Sequence, residues 1–140
     1  METWANLEPE DRFARTQGIL VQVARALQYV HDRGLVHRDV TPSNLMIGAD
    51  GSVKLMDFGV VKDLGTDLTA VGDVVGTVAY IAPEQVRGGA IDVRADLYTL
   101  GAVLYFMLTG QRPFEARTLQ GYLEKHLRPV SYTHLRAHET

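Results

Sequence analysis

The sequence predicts an α+β domain that is mainly α. Two stretches, 16–33 and 93–109, carry helical periodicity, and a pair of short aliphatic runs around Asp-Gly reads as one β-hairpin between them. At 140 residues there is room for a single domain, which buries roughly two-thirds of its unfolded surface if it folds alone.

In the first helix Leu20, Val23, Ala24, Leu27 and Val30 recur three and four apart, so one face is buried. Gly34 is placed to stop it. A polar cluster follows within VHRDVTPSNLMI, residues 36–47. Next come LMI at 45–47 and VKLM at 53–56, separated by GADG, the hairpin signal. Antiparallel strands centred near Asp50 bring the residue entering the first strand beside the one leaving the second, which sets Asn44 next to Asp57. Residues 59–78 form a long loop, a length typical of functional or mobile segments. Residues 83–86 make one helical turn. The second long helix has Asp92 as N-cap and Gly110 at its end. Its apolar run, LGAVLYFML at 100–108, is far short of the ~20 residues of a membrane span and is read as a buried helix. Tyr98, Tyr105, Phe106 and Met107 are assigned to the core.

Composition excludes several classes. A formal net charge of −3 leaves no basic excess for nucleic acid or an anionic membrane. With no cysteine, disulfides and thiolate metal sites are ruled out and a reducing, cytoplasmic setting is permitted. The opening METWANLEPEDR has neither the basic nor the apolar region of a signal peptide.

The chemistry lies in Asp39, Asn44 and Asp57, whose hard oxygens suit magnesium bridging a polyphosphate. In a phosphoryl transfer one carboxylate can accept the proton of an attacking hydroxyl while the other groups hold the ion.

HRDVTPSN at 37–44, DFG at 57–59, GTVAYIAPE at 76–84 and DLYTLG at 96–101 occur in that order. Together they resemble the C-terminal lobe of a eukaryotic-type serine/threonine protein kinase, over about residues 7–128. The resemblance implies a helical lobe whose short β-hairpin carries the catalytic and metal-binding loops, with ATP and Mg2+ as cofactors and a protein as substrate. It makes Asp39 the catalytic base, Asn44 and Asp57 magnesium ligands, and Met46 the apolar floor under adenine. His37 and Phe58 match positions that stack between lobes. Asp96 matches a buried helix Asp that caps catalytic-loop amides, and Thr77 and Tyr80 shape the pocket after the acceptor residue. Arg38 couples activity to a phosphate on the activation segment, where Thr66 and Thr69 are either phosphoacceptors or ordinary loop hydroxyls. Glu84 pairs in the family with an Arg far downstream. Pro42 and the GTxxY pattern are similar to serine/threonine rather than tyrosine kinases. Thr41 stands where most of them have Lys, a variant familiar from bacterial members.

No GxGxxG is present, and neither Lys54 nor Lys62 follows a glycine-rich loop. Lys54 is read as a solvent-facing hairpin residue. The expectation is therefore a partial kinase domain at 1–129, truncated at both ends, whose N-lobe is missing and would be its partner in cis. Residues 130–140, VSYTHLRAHET, read as sequencing-adapter read-through rather than structure. For His31, His126 and Lys62 the expected role is surface solvation. Beside the enzyme-fragment reading stand a pseudokinase-like scaffold, to which Thr41 leaves an opening, and a small-molecule phosphotransferase. The latter class lacks the GTxxY and APE segment found here.

Overall fold

The computed structural model describes residues 4–56, 79–88, 90–115 and 118–128. After a one-turn 3-10 helix at Trp4–Asn6 come α1 (Pro9–His31), a second 3-10 turn (Pro42–Asn44), β1 (Leu45–Ile47) and β2 (Val53–Leu55). Then follow α2 (Pro83–Arg87), α3 (Val93–Thr109) and α4 (Leu119–Leu127). The class is the one expected, mainly helical with a two-stranded antiparallel sheet, while the 3-10 turn at Trp4–Asn6 and helix α4 were not among the expected elements.

Helix α1 begins seven residues before the expected start, with Pro9 in its first turn beside Glu10 and Asp11, residues that favour a helix N-terminus. Its buried stripe is Thr16, Ile19, Val23, Leu27 and Val30. It ends at His31, and Gly34 takes the left-handed conformation (φ +74) that turns the chain away. In α3 the Asp92 carboxylate accepts from the Arg94 amide at 2.9 Å, and Gly110 (φ +73) closes the helix, both as expected. The Arg94 guanidinium on the same carboxylate also holds Asp92 below the usual acid range.

Two core clusters meet at Leu45 and Met107. One joins Ile19, Val23 and Leu27 of α1 to Val40, with Val53 and Leu55 of the hairpin against it. The other packs Ala79, Tyr80 and Ile81 on Ala102 and Val103 of α3. Burying a side chain such as Leu27 contributes about 1.5–3 kcal/mol. The run at 100–108 is not buried throughout: α3 turns Ala95, Asp96, Thr99, Ala102 and Val103 inward, while Leu97 and Leu108 are exposed. Tyr98, Tyr105, Phe106 and Met107 are half-buried at the edge of the core rather than inside it. An apolar sequence run fixes burial only where neighbouring elements cover it.

His126 corrects its assignment to the surface. It is buried between α3 and α4, its Nδ1 lies 2.8 Å from the Tyr98 hydroxyl, and its ring meets Phe114 edge-on at 5.0 Å. Burial, with the nearby negative charge of Glu84 as a second cause, pushes the Tyr98 phenol up to about 12.

The hairpin pairs Leu45 with Leu55, Met46 with Lys54 and Ile47 with Val53, a register centred on residue 50 as expected. Lys54 is exposed, also as expected. Three-residue strands in a two-stranded ribbon have little stability of their own. Gln22 of α1 supplies an anchor: its Nε2 donates to the Gly51 carbonyl and its Oε1 accepts from the Val53 amide, both at 2.9 Å. Among the described residues no helix is long and apolar enough to cross a membrane.

Candidate functional site

Between Val36 and Thr41 the chain is irregular, and the 3-10 turn Pro42–Asn44 then delivers Asn44 to the start of β1. Asp39 is 9% exposed. Asn44 Nδ2 donates to the Asp39 carbonyl at 2.7 Å and to Asp39 Oδ2 at 2.9 Å. Two bonds to oxygen acceptors identify the nitrogen end of the amide. Asn44 Oδ1 takes no hydrogen bond from any described residue. Its lone pairs are of the kind a hard cation such as magnesium takes.

Arg38 is the one described non-glycine residue with positive φ (+74). That conformation costs an L-residue about 1–2 kcal/mol, and it persists where surroundings over-determine it. Asp96 is a large part of those surroundings. It is fully buried (0% exposed), its Oδ1 accepts from the Arg38 amide at 2.8 Å, and its Oδ2 accepts from the His37 amide at 2.9 Å. A third donor, His31 Nε2, reaches the same Oδ2 at 2.7 Å. Hydrogen bonds to a charged acceptor are worth about 1.5–3 kcal/mol each, which offsets the cost of taking the carboxylate out of water.

His37, itself buried, ties this loop to the hairpin. Its Nδ1 accepts from the Asp39 amide at 3.1 Å, so the proton sits on Nε2, which donates to the Met56 carbonyl at 2.9 Å. The Met56 amide in turn donates to the Asn44 carbonyl at 2.7 Å. The segment around Asp39 and the exit of β2 are thus one hydrogen-bonded unit. The expected neighbourhood of Asn44 and Asp57 is described as far as Met56.

Other expected site residues fall as follows. Thr41 is buried with its hydroxyl 2.9 Å from that of Ser43. Met46 is 57% exposed on β1, beside exposed Ile47. The Arg38 side chain is exposed. Glu84 is half-buried on α2 and forms no ion pair among the described residues. Tyr80 is buried, edge-on to Phe106 at 6.3 Å. Asp57, Phe58, Lys62, Thr66, Thr69, Thr77 and residues 130–140 lie outside the described residues. No group of three or more His, Asp or Glu suited to a metal occurs among the described residues.

Two contributors were not anticipated. His31, expected to be solvated, is instead bonded to Asp96 across 65 residues of sequence. Its place four residues after Leu27, on the buried stripe of α1, was the available signal. Gln85 of α2 donates through Nε2 to the Arg38 carbonyl at 3.0 Å. No sequence pattern flagged it.

A family model described as the protein kinase domain matches residues 8–139. Among curated proteins, the chain is 42% identical over 113 residues to the serine/threonine-protein kinase PknB of Mycobacterium tuberculosis, covering 79% of this chain and 18% of that protein. It is 47% identical over 103 residues to the probable serine/threonine-protein kinase PknB of Corynebacterium glutamicum, covering 71% and 16%. The corresponding protein of Bifidobacterium longum is 42% identical over 116 residues, covering 81% and 17%. The chain therefore spans less than a fifth of the length of these relatives.

Proposed function

Because the chain belongs to the protein kinase family, we propose that it forms the catalytic-loop lobe of a serine/threonine kinase that transfers the ATP γ-phosphate to a protein hydroxyl. The carrying observation is the Asp39–Asn44 pair, set on a loop whose backbone Asp96 holds from behind. Asp39 orients the acceptor hydroxyl and receives its proton, a task that needs a carboxylate fixed within hydrogen-bond reach. Asn44, through Oδ1, and Asp57 are the residues that would hold magnesium. When bound, the ion neutralises charge on the phosphates and fixes their orientation. Met46, exposed on β1, offers apolar contact to adenine. Thr77 and Tyr80 border the acceptor peptide, and Arg38 meets a phosphate on Thr69 or Thr66. The serine/threonine class is supported by the relatives' names and by Pro42 and the GTxxY pattern.

These 140 residues contain no glycine-rich phosphate loop. In the proposed enzyme that part, with its lysine, comes from a second lobe encoded outside them. Asp39→Asn and Asp57→Asn in the full-length protein test the roles. Asp39→Asn should lower the catalytic rate by ~10²–10⁴ with little change in magnesium-nucleotide affinity. Asp57→Asn should weaken magnesium-dependent nucleotide binding as well as turnover. Loss of metal-nucleotide binding in Asp39→Asn with none in Asp57→Asn would reverse the assignment.

A further inference from the structure

We propose that Gln85 is a positioning residue that sets the peptide plane leading into Asp39 and couples it to the segment at 79–85. This inference rests on the kinase reading above. The peptide unit between Arg38 and Asp39 has two polar ends, and each is held by a side chain. Its N–H, belonging to Asp39, donates to His37 Nδ1 at 3.1 Å, and its C=O, belonging to Arg38, accepts from Gln85 Nε2 at 3.0 Å. Rotating that plane breaks both bonds together. The plane follows a left-handed, non-glycine residue (Arg38, φ +74), where the backbone left to itself would relax.

The orientation of the Gln85 amide is fixed by its other end. Gln85 Oε1 accepts from the Ala82 amide at 3.2 Å, just ahead of α2, so Nε2 is the atom that faces Arg38. One side chain therefore spans from the buried segment Ala79–Ala82 to the loop carrying the proposed base. In the proposed enzyme this segment lies against the acceptor peptide. Displacing Ala82 shifts Gln85, and through it the carbonyl one bond from the Asp39 amide. Glutamine is suited to this task because a single planar group both accepts and donates. Glutamate keeps the acceptor for Ala82 but turns a second acceptor toward the Arg38 carbonyl unless it is protonated.

The test is Gln85→Glu and Gln85→Ala in the full-length protein, assayed on a Ser/Thr peptide at saturating magnesium with ATP varied up to saturation. Gln85→Glu should lower kcat about tenfold at neutral pH, with the KM for ATP within about twofold of the unaltered protein. The ratio of variant to wild-type kcat should recover as pH falls toward 5, where the carboxyl, ordinarily near 4.3, begins to carry a proton and can donate. Gln85→Ala should lose a similar factor without that recovery. A purely structural role would give no such difference in pH profile. Both variants within twofold of wild type at every pH would overturn the proposal, and so would a loss confined to the KM for ATP. If the unaltered protein transfers no phosphate, the proposed function is what fails. Amide exchange then decides the inference separately: about tenfold faster exchange at Asp39 in Gln85→Glu supports it, and unchanged exchange overturns it.

Discussion

Replacing Asp96 with alanine removes the acceptor shared by the His37 and Arg38 amides and by His31. Two hydrogen bonds from backbone to carboxylate are lost, at about 1.5–3 kcal/mol each. Relaxation of Arg38 out of its left-handed conformation returns about 1–2 kcal/mol. The net cost of holding this loop is then about 1–5 kcal/mol, and at ~1.4 kcal/mol per decade the two amides should exchange about 5- to 4,000-fold faster. Asp96→Asn is the informative comparison. Its remaining oxygen can still serve Arg38, while its NH2 group faces the His37 amide and His31. His31 can change tautomer and accept, so a single buried donor is orphaned, at about 1–3 kcal/mol. Hydrogen exchange read residue by residue in the full-length protein should therefore rank alanine above asparagine above wild type at His37, with amides in the middle of α1 unaffected. Unchanged exchange at His37 and Arg38 in Asp96→Ala would refute the claim that this carboxylate holds the loop.

Three further outcomes are expected. The 140-residue chain alone should show no kinase activity and should self-associate through the exposed Met46, Ile47 and Met56; ATP turnover by the purified chain, or a monomer at high concentration in sedimentation, counts against this. Mass spectrometry of the active full-length protein should find phosphate between residues 63 and 76, on Thr69 ahead of Thr66, paired with Arg38; an active protein without phosphate there contradicts it. The phenol of Tyr98 is raised in the folded state to about 12, above the ordinary value near 10. Its stabilising contribution is thus complete below pH 10 and lost as pH climbs through the folded value. The stability difference between wild type and Tyr98→Phe in urea should shrink over that window, and a constant difference would dispose of the argument.

Local signals carried most of the fold into the sequence. Periodicity located α1 and α3, and Asp92 and Gly110 marked the ends of α3. The hairpin register followed from strand symmetry about residue 50. The start of α1 did not, because its first two turns present no apolar stripe; Phe13, its largest apolar side chain there, is exposed. The Asp39–Asn44 pair was legible because its partners lie five residues apart. Capping of the loop by Asp96 was reachable only through family resemblance, since nothing near residue 96 announces a bond to residue 37. His31, His126 and Gln85 mark where local reading stops: each makes its decisive bond to another element, 28 to 65 residues away. Spacing along α1 could signal that His31 turns inward, but nothing in the neighbourhood of any of the three names the partner it meets.

Surface turns ordinarily tolerate added residues, since lengthening a loop costs little entropy. The turn at 48–52 should not share that freedom. Gln22 grips it at two points, the Gly51 carbonyl and the Val53 amide, so α1 measures the turn as well as supporting it. One inserted residue would have to be absorbed either by releasing Gln22 or by sliding β2 a step along β1. A slip of one position exchanges the faces of a strand, and it would move Met56 away from the Asn44 carbonyl that its amide now meets. The length of this small tip is therefore a constraint on evolution and engineering alike: tags, fusions and loop grafts placed there act on the register of the strands that frame the site.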